Sequence, residues 1–131
     1  MALARPGLPV VVLAAGVLAA DQVSFLLVGS AALWLRGEPV TVGDVDVAIE
    51  PSEPNLRRLH EALMRLAVRP DTFTQPVHRL RELSVATAIT PYGRVDCLLE
   101  RGRQDWYRLS QTAGYVAVAD APVLVASAAD A

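Results

Sequence analysis

Lysine is missing from this chain: all twelve basic residues are arginine, and the formal net charge is −2. That balance excludes a general nucleic-acid binder, which shows a basic excess, although local arginines remain available to hold a phosphate. Cysteine is nearly missing too. The single Cys97 cannot form an internal disulfide, so a reducing compartment, the cytoplasm, is expected. Its apolar setting, VDCLL, reads as that of a small core residue. His60 and His78 are the only histidines, and neither has a His/Cys ligand spacing around it, so both read as structural. No apolar run reaches the roughly 20 residues that a membrane span needs, and no membrane partner is expected.

What is present is a chain of 131 residues, 53% hydrophobic and 20% charged. This is a globular composition of a length suited to one domain, 1–131, with a single core. No internal repeat or low-complexity linker divides it. The run LPVVVLAAGVLAA, Leu8–Ala20, follows Arg5 and ends in small residues, which imitates a secretory signal peptide. The preferred reading is a helix buried beside the strand that follows, because the next segment suits intracellular phosphate chemistry.

The pattern predicts a helix over Pro9–Ala20, a strand over Val23–Val28, a short helix over Ala31–Arg36 and a strand over Asp44–Glu50. Ser52 then caps a helix whose stripe is Leu56, Leu59, Leu63 and Leu66, with arginines on its solvated face. Pro70–Glu82 reads as polar and irregular. SVATAITPYGRVDCLLE predicts two antiparallel strands around Pro91-Tyr92-Gly93, followed by a helix over Asp105–Thr112. A second hairpin is expected to turn near Asp120–Pro122. The fold class is therefore α+β, a mixed sheet with helices packed on it, built from a strand–helix–strand core and antiparallel hairpins.

Two carboxylates stand inside an apolar run at Asp44 and Asp46. Two residues apart on a strand they share a face, about 6.6 Å apart, close enough to share one or two cations. Bare like charges at that spacing raise one pKa, and a divalent ion resolves the conflict. Asp96 lies in a second apolar strand; if the strands are neighbours, three aspartates converge, a hard-oxygen set suited to Mg²⁺. Gly29-Ser30 follows an apolar strand and opens a short helix, where free N–H groups and a hydroxyl suit a nucleotide phosphate. Each feature also has an ordinary explanation. Asp44 and Asp46 fit a solvated strand end, Asp96 fits a salt bridge to Arg94 or Arg81, and Gly29-Ser30 fits a turn and helix cap. Trp34 reads as core. Trp106-Tyr107, near Arg101 and Arg103, reads as sheet cover, with base stacking as the alternative.

Taken together, LVGSAALWL, then GDVDVAI, then RVDCLL resembles the nucleotidyltransferase-fold, or polymerase-beta-like, superfamily over roughly Val23–Leu99. The likeness is greatest to minimal bacterial members of toxin–antitoxin and abortive-infection systems. The resemblance implies that Asp44 and Asp46 hold Mg²⁺ (or Mn²⁺) against an NTP, and that Asp96 completes the metal site and helps deprotonate an attacking hydroxyl. It implies that Gly29 and Ser30 grip the departing phosphates. The implied reaction moves an NMP to a hydroxyl on RNA (tRNA included), protein or a small molecule, releasing pyrophosphate. Where many relatives carry an arginine and a threonine before the metal aspartates, PVTVGD places Val40 and Val42, with Thr41 between them. Larger relatives continue into a helical domain, a part that a partner chain or a second copy, as in a homodimer, is expected to supply. The alternative is a catalytically weak or silent module, bound to a cognate toxin or antitoxin protein, or an oligomeric structural protein.

Overall fold

The structure is a computed structural model that describes residues 8–68 and 76–131. Its centre is a six-stranded mixed sheet in the order β3-β4-β2-β1-β6-β5. The strands are β1 (Phe25–Val28), β2 (Val45–Ile49), β3 (Val85–Thr90), β4 (Gly93–Leu98), β5 (Gly114–Val118) and β6 (Ala121–Val125). Among the described residues four α-helices accompany them: α1 (Leu8–Ala20), α2 (Gly29–Leu35), α3 (Glu53–Leu66) and α4 (Leu99–Thr112). The expected α+β class, with a strand–helix–strand core and two hairpins, is the observed architecture.

Leu8–Ala20 folds as the buried helix of the two readings. Val10, Val11, Ala14 and Leu18 are wholly buried, spaced to form one face. Losing such a side chain as Leu18 costs about 2–5 kcal/mol, because the close-packed surroundings do not collapse into the space. Among the described residues no helix is long and apolar enough to cross a membrane. In α3, Ser52 accepts a hydrogen bond from the Asn55 N–H at 3.4 Å, Pro54 sits in the first turn, and Leu56, Leu59, Leu63 and Leu66 face the core. Arg65 on the opposite side reaches back to Asp21 at 2.9 Å, beside the end of α1.

Residues 70–75 of the segment read as irregular lie outside the described residues; Val77–Arg81 forms a short 3-10 helix with Leu80 buried. Helix α4 starts at Leu99, six positions before the predicted start at Asp105. The sequence misled here because Gly102 looks like a break in the pattern. In the fold it is the contact residue: a Cβ there would stand 1.8 Å from the carbonyl oxygen of Ile49. A glycine lets helix backbone lie against strand backbone, so the residue that lowers helix propensity is what lets α4 dock.

Both hairpins form. Thr90, nearly buried, ties the first: its hydroxyl donates to Gly93 O at 2.7 Å and accepts from the Tyr92 and Gly93 N–H groups at 3.1 Å. The second turns on Ala119-Asp120, slightly earlier than predicted, with φ of 49° and 67°. Two positive-φ residues give the twist that closes a tight hairpin.

Candidate active site

Register builds a row of side chains across the sheet. β2 runs parallel to β4 with Asp46 opposite Asp96, and antiparallel to β1 with Asp46 opposite Val28. The first hairpin places Thr87 opposite Asp96. Alternation sends Val45, Val47, Val95 and Cys97 into the core on the face covered by α1, and leaves Thr87, Arg94, Asp96 and Asp46 on the other. Cys97 is completely buried and its thiol is pushed up to about 12 by burial and then by Asp96, so it is an inert core residue, as read.

Asp96 is held at both oxygens. Thr87 donates its hydroxyl to Oδ1 at 2.7 Å, and Arg94 Nε stands 3.2 Å from Oδ2. Arg94 also reaches Asp44, Nη2 to Oδ2, at 3.0 Å. Asp44 lies just ahead of β2 rather than within it. The Asp46 carboxyl lies within hydrogen-bonding reach of Asp96, and its pKa is raised, first by burial, then by Asp96 and Asp44, with Arg94 pulling the other way. This is a carboxylate pair that lacks full compensation for its charge.

Gly29 abuts the row. It has φ +64°, and a Cβ on it would lie 2.7 Å from Asp46 Oδ2. The glycine is thus required by the approach of the Asp46 carboxylate as well as by its own left-handed backbone. Ser30 follows inside the first turn of α2; the N-cap is Val28, which offers no side-chain bond, so Ser30 is not the cap that a serine in this place suggests.

The sequence-derived residues are therefore neighbours: Asp46 beside Asp96, Gly29 against Asp46, Ser30 next in chain, and Asp44 joined to Asp96 through Arg94. Among the described residues, however, no group of three or more His, Cys, Asp or Glu side chains is arranged to hold a metal ion. Arg94 occupies that role between Asp44 and Asp96. The donor set at Asp46 and Asp96 still fits a hard divalent cation: two adjacent carboxylates, one with its charge disfavoured first by burial and then by its acidic neighbours. Thr87 and the double reach of Arg94 escaped the sequence reading. The hairpin carried the signal for Thr87, because a turn at Pro91-Tyr92 pairs residue 87 with residue 96.

No protein-family model matches the chain, and no curated protein matches it in sequence. Among solved structures, it is similar to the crystal structure described as a "putative nucleotidyltransferase" from Thermotoga maritima, with a TM-score of 0.64 and 19% identity, covering 93% of this chain and 78% of that one. The likeness establishes the nucleotidyltransferase fold.

Proposed function

We propose that this protein is a nucleotidyltransferase that moves an NMP from an NTP to a hydroxyl acceptor on RNA, protein or a small molecule. The observation that carries the reading is the pairing of Asp46 with Asp96 at one register position, with Gly29 packed against Asp46, in a chain with this fold.

Asp46 and Asp96, joined by Asp44 when Arg94 releases it, would hold Mg²⁺ or Mn²⁺. The bound cation supplies Lewis-acid stabilisation of the charge that develops on the attacking and leaving oxygens. Thr87 fixes the Asp96 carboxylate through Oδ1, so that Oδ2, once Arg94 leaves it, is the atom placed to take the acceptor's proton. The acceptor oxygen forms its bond to the α-phosphorus as the bond to the β-phosphate oxygen breaks, and pyrophosphate leaves. Gly29 and Ser30 face those departing phosphates. The carboxylates bind and orient; the small residue at Gly29 keeps the approach open.

The test uses purified protein with each α-labelled NTP in turn, Mg²⁺ or Mn²⁺, and RNA, protein and self-labelling acceptors. Labelled product that disappears in the Asp44→Asn, Asp46→Asn double variant is the expected result. No transfer to any acceptor, with no nucleotide-induced rise in melting temperature, rejects the reading.

The Arg94 ion pairs favour one second reading, a silent nucleotidyltransferase-fold module, for which a cognate toxin or antitoxin protein would be the partner. Isolation in a stable complex with the product of an adjacent gene, unchanged by the double aspartate substitution, distinguishes it.

A further inference from the structure

The charge opposing the aspartate row comes from a side chain placed to leave it. Arg94 lies on β4 two residues before Asp96, so it shares the open face with Asp96 and Asp46. Its guanidinium meets Asp44 Oδ2 at 3.0 Å and Asp96 Oδ2 at 3.2 Å, and its side chain is 51% exposed. The Asp44 partner is 45% exposed and that pair is weak, while Asp96 is only 14% exposed, where a doubly charged ion gains more than a single guanidinium does. Asp96 does not depend on Arg94 for its position, because Thr87 holds the other oxygen at 2.7 Å. Departure of the arginine frees two carboxylate oxygens without moving Asp96.

A triphosphate brings several negative charges, and the segment between α2 and β2 gives it none of the opposite sign. Residues 37–44 contain no basic side chain. Arg36, at the end of α2, is turned away and donates from Nη2 to Val125 O at 2.9 Å and from Nε to Ala126 O at 3.2 Å. Among the described residues Arg94 is the cation paired with this row, and its planar fork matches two phosphate oxygens once the carboxylates no longer occupy it.

We propose that Arg94 is a displaceable counter-ion: it neutralises Asp44 and Asp96 in the ligand-free protein, yields them to a divalent cation, and turns to the phosphates of the bound nucleotide. The phosphate half of this inference rests on the nucleotidyltransferase reading; the counter-ion half does not. A residue that competes with one ligand and binds the next makes metal binding weak until the nucleotide arrives. The two ligands therefore bind cooperatively.

The test titrates the full chain with Mn²⁺ alone, and then with inorganic triphosphate at saturating Mn²⁺, both by calorimetry. Arg94→Ala and Arg94→Gln are each expected to bind Mn²⁺ about fivefold more tightly than the parent, and triphosphate about fivefold more weakly. Arg94→Lys returns both values part of the way. Melting curves confirm that each variant is folded, and a trend shared by Ala and Gln separates lost charge from lost packing. Unchanged or weaker Mn²⁺ binding in both variants, or no Mn²⁺ binding by any protein, overturns the counter-ion. Tighter Mn²⁺ binding with unaltered triphosphate binding overturns the phosphate half. If the Mn²⁺ gain appears while the parent transfers no nucleotide to any acceptor, the nucleotidyltransferase reading fails and the counter-ion stands.

Discussion

The two ends of β2 are built on opposite terms. At its C-terminal end the buried Asn55 side chain is fully hydrogen-bonded and the packing is tight. Asn55, fully buried, accepts from the Ser24 N–H at 2.7 Å and donates to Ser24 O at 3.0 Å and Glu50 O at 2.8 Å. Gly102 brings α4 directly onto Ile49. At the N-terminal end, Asp46 sits beside Asp96 with its pKa raised by burial and by its acidic neighbours, against a glycine in left-handed geometry. One short strand is anchored at one end and electrostatically loaded at the other. The contrast predicts that substitutions at the anchored end destabilise the fold, whereas those at the loaded end act on chemistry.

The largest effect is expected at Gly102. In Gly102→Ala the new Cβ would meet Ile49 backbone at 1.8 and 2.8 Å, and no rotamer change relieves a clash with backbone. Helix α4 must lift from the sheet. A loss of about 3–5 kcal/mol is expected by urea denaturation, a large share of the roughly 5–15 kcal/mol of an ordinary domain. A loss below that of a typical surface substitution shows that α4 docks loosely.

Asn55→Ala comes next. It strands Ser24 N–H and Glu50 O, while Ser24 O keeps the Glu50 N–H at 3.1 Å, at a cost of about 2–3 kcal/mol, since groups near the surface recover some hydration. An unchanged denaturant slope would mark this as stability lost from the folded state and not a changed unfolded ensemble.

Gly29→Ala carries the same kind of clash to the other end, but a different partner yields. The new Cβ meets Asp46 Oδ2, the far end of a side chain, and adds the penalty of φ +64°. The stability cost is about 1–2 kcal/mol, while nucleotide transfer is expected to be lost because the carboxylate is pushed off its position. A variant that keeps its activity would detach Gly29 from the site.

These residues also mark how far the sequence could be read. The strands around Asp46 and Asp96, the leucine stripe of α3 and both hairpins were legible because local alternation, periodicity and turn chemistry encode them. The aspartate row was legible as a set of residue types. Its internal arrangement was not: Arg94 could be named as a partner of Asp96, yet its reach to Asp44 depends on strand order and register. The predicted helix began only at Asp105, beyond Gly102, and nothing local marked Asn55, because their partners Ile49, Ser24 and Glu50 are remote in chain or set by tertiary approach.

The smallest effect has the opposite sign. In metal-free buffer, Asp46→Asn removes a charge that the folded protein disfavours and keeps an amide able to donate to Asp96. Because the folded-state pKa of Asp46 lies above the ordinary value of 3.8, the folded protein binds this proton more tightly than the unfolded chain. Its contribution therefore falls as pH rises from that value through the raised one, and the penalty is complete above both. Asparagine is expected to add ~1–3 °C to the melting temperature at about pH 7 and almost nothing at about pH 3, where the carboxyl is protonated in either state. Nucleotide transfer, measured in parallel with Mn²⁺ restored, should disappear. A variant that melts lower at neutral pH would show that Asp46 is held by interactions that favour its charge, and the loaded end of β2 would then be a second anchor.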